Sequence, residues 1–203
     1  WPPHIPLARG VEKFKGEILH SCTFTNREVA KGKRVVVVGG GKSAIDNAVA
    51  AVNGGAQSSA LLCREAHWPV PRYLGFLVPF KWGTYSRFGH STLPTHHAEP
   101  PCAWWCHSLL TPLKWLWWRI VELLFMCQFC IPRRFVPKSR IEVDLFNGGQ
   151  ILTYEFQKMC RRGLIKEVLG AISHYTEDGV VCMDGTDLKA DLVIYGTGFA
   201  KSY

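Results

Sequence analysis

The chain has 203 residues, 47% of them hydrophobic and 20% charged, which fits one globular domain, or a domain with an insertion, and a core of real size. Its formal net charge of +8 is concentrated early: twelve Lys/Arg face six Asp/Glu in residues 1–100, and twelve face ten in residues 101–203. No basic run with interleaved aromatics occurs, which argues against nucleic acid and favours a polyanionic small ligand.

Residues 1–30 hold Pro2, Pro3, Pro6 and Gly10 and then a polar stretch, the composition of an irregular interdomain linker. The chain opens on Trp1, with neither an initiator Met nor a signal pattern, so a preceding part of the protein is expected. Arg34-Val35-Val36-Val37-Val38 is a β-branched run without polar alternation, as in a parallel strand covered on both faces. Gly39-Gly40-Gly41 closes it, Lys42 to Val52 is Ala-rich and helix-competent, and Asn53-Gly54-Gly55 stops the helix. Ser59 to Cys63 completes a β-α-β unit, with Arg64 at the carboxyl end of the second strand.

From His67 to about Phe135 the pattern changes to eight of the twelve prolines and seven of the eight tryptophans, which predicts a helical insertion. Its main helix is Pro112 to Cys130, where Leu113, Leu116, Trp117, Ile120, Leu123, Leu124 and Cys127 recur at helical spacing. Lys114, Arg119 and Glu122 interrupt it, so it does not span a bilayer. A core helix and an interfacial helix making membrane-surface contact through 112–130 both stay open. Cys102, Cys106, Cys127 and Cys130 form two close pairs among tryptophans and leucines, and are read as small buried thiols rather than as a zinc site; no metal is expected. The scattered cysteines point to reduced thiols and to an intracellular setting, cytoplasmic or peripheral to a membrane.

The last third returns to β character. Residues 164–168, 171–175 and 179–183 predict a small antiparallel meander, and 188–195 a final buried strand running into Gly196-Thr197-Gly198-Phe199. The expected fold class is α/β: a Rossmann-like, FAD/NAD(P)-binding parallel sheet with a β-meander and a helical, Trp/Pro-rich insertion. Residues 31–66 and 136–195 form the nucleotide domain in this reading, 67–135 the insertion, 1–30 the linker and 196–203 the start of a return to a further domain.

Gly39-x-Gly41-x-x-Ala44 fits the dinucleotide fingerprint. Its first glycine permits the tight turn, its second lets backbone approach a pyrophosphate, and a small third residue lets helix pack on strand. The phosphates then meet the free N–H groups of a helix amino terminus, with Lys42 adding charge and Ser43 a hydroxyl. Where an NAD site carries an acid at the end of the second strand, Arg64 stands, and a guanidinium there clamps the 2′-phosphate of NADP; Glu65 beside it keeps NAD open.

Phe14-x-Gly16-x-x-x-His20-x-x-x-Phe24 resembles the fingerprint of flavin-containing monooxygenases and their Baeyer–Villiger relatives, with Phe24 where they carry Tyr or Trp. Gly39 to Asp46 resembles their NADPH loop, with Lys42 in place of Asn, and Gly196-Thr197-Gly198-Phe199 resembles the segment where the chain re-enters the flavin domain. The resemblance implies an NADPH domain inserted in an FAD domain that lies outside this chain. It further implies an enzyme that uses NADPH, FAD and O₂ to oxygenate a small-molecule substrate containing nitrogen, sulfur or a ketone. The implied cofactor contacts are Gly39, Gly40, Gly41, Lys42, Ser43, Ala44, Arg64, His20, Thr197 and Gly198, and no catalytic residue is assigned within the chain. His67, Trp68 and Arg72 are read either as shaping the nucleotide pocket or as plain packing. Another NAD(P)H:flavin oxidoreductase and a non-catalytic NADP-binding module stay open as alternatives; against the first, no C-x-x-x-x-C redox pair precedes the glycine motif.

Overall fold

The computed structural model describes residues 2–75, 77–84, 86–93, 101–147 and 153–200. In chain order come β1 (Glu17–His20), β2 (Arg34–Val38), α1 (Lys42–Asn53) and β3 (Ser58–Cys63). Next are β4 (Tyr73–Leu74), β5 (Val78–Pro79), α2 (Phe80–Thr84), α3 (Arg87–Thr92), α4 (Pro101–Leu109), α5 (Thr111–Phe129) and α6 (Ile141–Asn147). The chain finishes with α7 (Tyr154–Arg161), β6 (Ile165–Leu169), β7 (Ile172–Thr176), β8 (Gly179–Cys182), β9 (Asp187–Lys189) and β10 (Leu192–Tyr195). Two compact units result, one of Trp1–Ala66 with Gln150–Tyr203 and one of His67–Gly149.

In the first unit five parallel strands lie in the order β1-β10-β2-β3-β6. Strand side chains alternate between faces, and this alternation builds two cores from one valine run. Val35 and Val37 join Leu61, Leu192 and Ile194 against Ala44, Ile45 and Ala48 of α1 and Phe156 and Met159 of α7. Val36 points the other way with Leu62, Val193 and Tyr195, onto the antiparallel sheet β7-β8-β9, through Tyr175, Val180 and Leu188. Val35, Val36 and Val37 are at most 1% exposed, so each contributes roughly 1.5 kcal/mol or more of burial. At the far end of β2, Asp191 accepts from the Arg34 backbone N–H (2.9 Å), Nε (2.9 Å) and Nη2 (2.6 Å). The guanidinium hydrogen bonds hold its carboxyl down at about 2.

Three expectations need correction here. Residues 1–30 are not wholly irregular: Glu17–His20 adds an edge strand by pairing with Leu192–Tyr195. A four-residue half-buried strand whose partner is far along the chain leaves almost no periodic signal. Residues 165–169 leave the meander and pair parallel with β3, while 188–195 breaks at Ala190-Asp191 into β9 and β10. Helix α7 had no counterpart in the sequence reading, although Thr153 caps it by accepting from the Phe156 N–H (3.2 Å) and Gly163 follows it with φ 72°.

The second unit packs Trp68, Phe80, Trp118, Val121, Phe125, Ile141 and Leu145 into its core. Because Ile141 and Leu145 belong to that core, residues 136–149 fall in this unit and not with the nucleotide domain. Helix α5 starts with Pro112 in its first turn and ends at Cys130, whose φ of 50° is left-handed. Buried Asp144 accepts from the Trp68 backbone N–H (2.6 Å) and lies 2.8 Å from His67 Nδ1, while Trp68 Nε1 donates to the Ser139 carbonyl (2.8 Å). These bonds give His67 and Trp68 a packing role in the second unit. Cys102, Cys106, Cys127 and Cys130, expected to be buried, are exposed. Among the described residues no group of three or more His, Cys, Asp or Glu is placed to hold a metal ion.

Candidate functional site

Strands β10, β2 and β3 all point their carboxyl ends at one place, the usual ligand position in an open α/β sheet. There Val38, Leu62 and Tyr195 form the floor of a cleft of about 720 Å³. The loops leaving those strands supply Gly39, Gly40, Gly41, Lys42, Ser43, Arg64, Thr197 and Gly198 to its walls. Its size is that of a small-molecule site.

The glycine turn is demanded by backbone crossing. Gly39 has φ 143°, and a Cβ on it would stand 2.5 Å from the Gly196 carbonyl oxygen. A Cβ on Gly196 would in turn stand 2.7 Å from Ala44 Cα. Ala44 is therefore fully buried where helix meets strand and packs behind the cleft wall instead of lining it. The space beside Gly41 is open, so a ligand can approach the backbone there.

Gly41 is the N-cap of α1, with extended backbone (φ −89°, ψ 176°), and no side chain caps the helix. With no acid in its first turn, the amino end presents its positive dipole to the cleft. Lys42 stands at this rim paired with Asp46 one turn along, which spends part of its charge. Arg64 is exposed and makes no hydrogen bond or ion pair with the described residues. Among the described lining residues none is a carboxylate, and the permanent charges are those of Lys42 and Arg64.

His20 also sits behind the wall. It is 3% exposed; its Nε2 donates to the Gly198 carbonyl (2.9 Å), its Nδ1 accepts from the Cys22 N–H (3.3 Å), and its ring meets Phe199 edge-on at 5.3 Å. Its work is to fasten the Gly196–Phe199 loop. The same loop is held from the other side: the His4 N–H donates to the Gly198 carbonyl (3.0 Å) and the Thr197 hydroxyl to the His4 carbonyl.

Sequence reasoning missed the remaining walls, His4 to Ala8 (without Ile5) and, from the meander side, Gly170, Ala171, Ile172 and Met183. None lies in a motif. Tyr195 was missed too: its hydroxyl meets that of Tyr175 at 2.6 Å, and burial raises both phenols above their ordinary range, so they strap meander to sheet as neutral groups. Burial likewise pushes the Cys63 thiol up to about 11. An uncapped helix amino end and two cationic side chains beside open backbone are features that suit a polyanion.

A family model described as flavin-binding monooxygenase-like matches residues 2–98. The monooxygenase aurF of Gibberella zeae is 50% identical over 99% of this chain and 36% of its own length. A probable flavin-containing monooxygenase 1 of Arabidopsis thaliana is 26% identical over 97% of this chain and 39% of its own. Human flavin-containing monooxygenase 5 is 29% identical over 98% of this chain and 34% of its own. The chain therefore spans less than two fifths of each of these relatives. The crystal structure of OTEMO in complex with FAD and NADP shares the fold with a TM-score of 0.64 at 16% identity, over 98% of this chain and 45% of that one.

Proposed function

This chain belongs to the flavin-containing monooxygenase family, and on that premise we propose that its cleft holds NADPH for a flavin-dependent oxygenation of a small nitrogen-, sulfur- or ketone-containing substrate. The observation that carries the reading is the exposed Arg64 guanidinium, without an ion pair among the described residues, in a cleft whose described lining holds no carboxylate and that also receives the amino end of α1. The residues fit the nucleotide. Open space at Gly41 and the uncapped helix end suit the pyrophosphate, Ser43 offers a hydroxyl beside it, and Arg64 suits the 2′-phosphate.

Gly41, Ser43 and Arg64 would hold NADPH there, and the chemistry it would supply is a hydride for a flavin. The chain's own part is position and electrostatics: Gly39, Ala44 and Gly196 set the turn, Lys42 and Arg64 attract the phosphates, and His20 keeps Thr197 and Gly198 in the wall. FAD is held mainly by residues outside this chain, in an FAD domain that is its partner in the whole enzyme.

The test is calorimetric titration of the chain with NADPH and with NADH, repeated on Arg64→Ala. NADPH is expected to bind more tightly. A charge-assisted phosphate contact of about 1.5–3 kcal/mol predicts a loss of roughly 10- to 100-fold in NADPH affinity in the variant, with NADH little changed. Equal affinities for the two nucleotides in the unsubstituted chain sink the assignment.

A further inference from the structure

Helix α5 ends on Cys127-Gln128-Phe129-Cys130, two thiols with two residues between them. The turn that closes the helix is a Schellman turn: the Cys130 N–H donates to the Cys127 carbonyl (3.3 Å) and the Ile131 N–H to the Met126 carbonyl (3.1 Å). Glycine is the usual residue at its left-handed position, because a Cβ there crowds the backbone. Cysteine occupies it here, with φ 50°, and among the described residues no other non-glycine residue has a positive φ. In this conformation the side chain folds back over the last turn, and Cys130 Sγ lies 3.5 Å from the Cys127 carbonyl oxygen.

The spacing suits a bridge. Helix rise and radius put Cα atoms three residues apart at about 5 Å, inside the span of about 4.4–6.8 Å that a disulfide covers. The two residues between the cysteines are held in place. Gln128 Nε2 donates to the Tyr73 carbonyl (2.8 Å) and its Oε1 accepts from the Gly75 N–H (3.0 Å), while the Phe129 ring meets that of core residue Phe125 at 6.0 Å.

Both thiols are exposed, whereas Cys63 and Cys182 are buried and Cys160 is half-buried. Burial pushes the Cys63 thiol up to about 11 and the Cys160 thiol up to about 12, which suppresses the thiolate that attacks a disulfide. A ring closed over two intervening residues removes little entropy from the unfolded chain, and an exposed bridge is open to attack. Such a bond is labile rather than structural.

We propose that Cys127 and Cys130 form a dithiol site that exchanges with small-molecule disulfides of the glutathione class and closes to an intramolecular disulfide. One cysteine thiolate attacks a sulfur of glutathione disulfide; that S–S bond breaks, one glutathione thiolate leaves, and a mixed disulfide remains. The other cysteine thiolate attacks the protein sulfur of the mixed disulfide and releases the second glutathione thiolate. The two thiol protons pass to the leaving thiolates, so two cysteines are oxidised while one disulfide is reduced to two thiols. The site requires no nucleotide in the first unit.

The test is equilibration of the chain in glutathione buffers from fully reduced to fully oxidised, followed by iodoacetamide, trypsin and mass spectrometry. Cleavage after Arg119 and Arg133 isolates residues 120–133, which contain Cys127 and Cys130 and no other cysteine. Expected is a peptide that passes from doubly alkylated to unalkylated and two hydrogen atoms lighter, and that returns on reduction. Cys127→Ser and Cys130→Gly are each expected to lose the closed form completely and to stop at one mixed disulfide. Glycine suits the left-handed turn, so the circular dichroism and urea midpoint of Cys130→Gly show that the loss is not one of fold. A peptide that stays doubly alkylated, or that carries two glutathiones, overturns the proposal. So does a bridge from either residue to Cys22, Cys102 or Cys106, or to a second chain.

Discussion

Two segments of this molecule carry more apolar surface than one packed face can use, and they meet opposite fates. Strand β2 carries four consecutive valines, and the chain covers both of its faces itself, α1 and α7 on one and the meander on the other. Helix α5 carries apolar residues around most of its circumference, yet its own unit covers only the side of Trp118, Val121 and Phe125. A uniformly apolar element states that two covers are needed and does not say where the second comes from. In β2 it is intramolecular and stabilises the fold; in α5 the described residues leave the side of Leu113, Ile120 and Leu123 exposed.

The largest effect that can break this contrast comes from placing the same charge on each segment. Val36→Asp buries an unpaired carboxylate and is expected to cost more than about 4 kcal/mol, enough to abolish a cooperative urea transition. Ile120→Glu on the open arc of α5 is expected to shift that transition by no more than about 0.5 kcal/mol. Comparable losses at both sites refute the asymmetry.

A smaller effect separates packing from binding inside the cleft. Gly39→Ala combines positive φ with a collision at the Gly196 carbonyl and is expected to cost about 2–3 kcal/mol by thermal or urea melting. Gly41→Ala meets nothing, so stability stays within about 0.5 kcal/mol while NADPH affinity falls, because the new methyl stands where the pyrophosphate approaches. If the two variants melt alike, the turn has been misread.

The smallest effect concerns the rim of the sheet. Asp191 sits near 2 because Arg34 donates to it, so its contribution is present above the ordinary carboxylate value of about 4 and is lost as pH falls from there through about 2. Both side chains are about a third or more exposed, so solvent screens the ion pair and its contribution is small. Asp191→Asn is expected to flatten the loss of stability between pH 4 and pH 2 by that small contribution. An unchanged acid profile shows that the clamp contributes nothing beyond the valine core it borders.

Chain-local features were legible in the amino acids. The valine run, the three glycines, the Ala-rich helix and the second strand follow one another without interruption, and each obeys a period of its own. The structure places eight of the ten residues named for the cofactor on the cleft wall. His20 and Ala44 support it from behind, since a motif marks residues a fold needs without saying whether they touch the ligand. What escaped was non-local: the edge strand at Glu17–His20, the parallel pairing of Ile165–Leu169, the wall from His4 to Ala8, and the loss of residues 136–149 to the second unit.

By itself, then, the sequence determined an α/β nucleotide fold, the position of its glycine turn, and the presence of a helix with more apolar surface than one face can use. Only the tertiary structure decided which strands neighbour which, what closes the cleft, and which side of α5 stays open. The physical reason is that turn, helix and strand preferences act between residues a few places apart. Sheet order and burial are settled by pairings across more than a hundred residues, which no local period records.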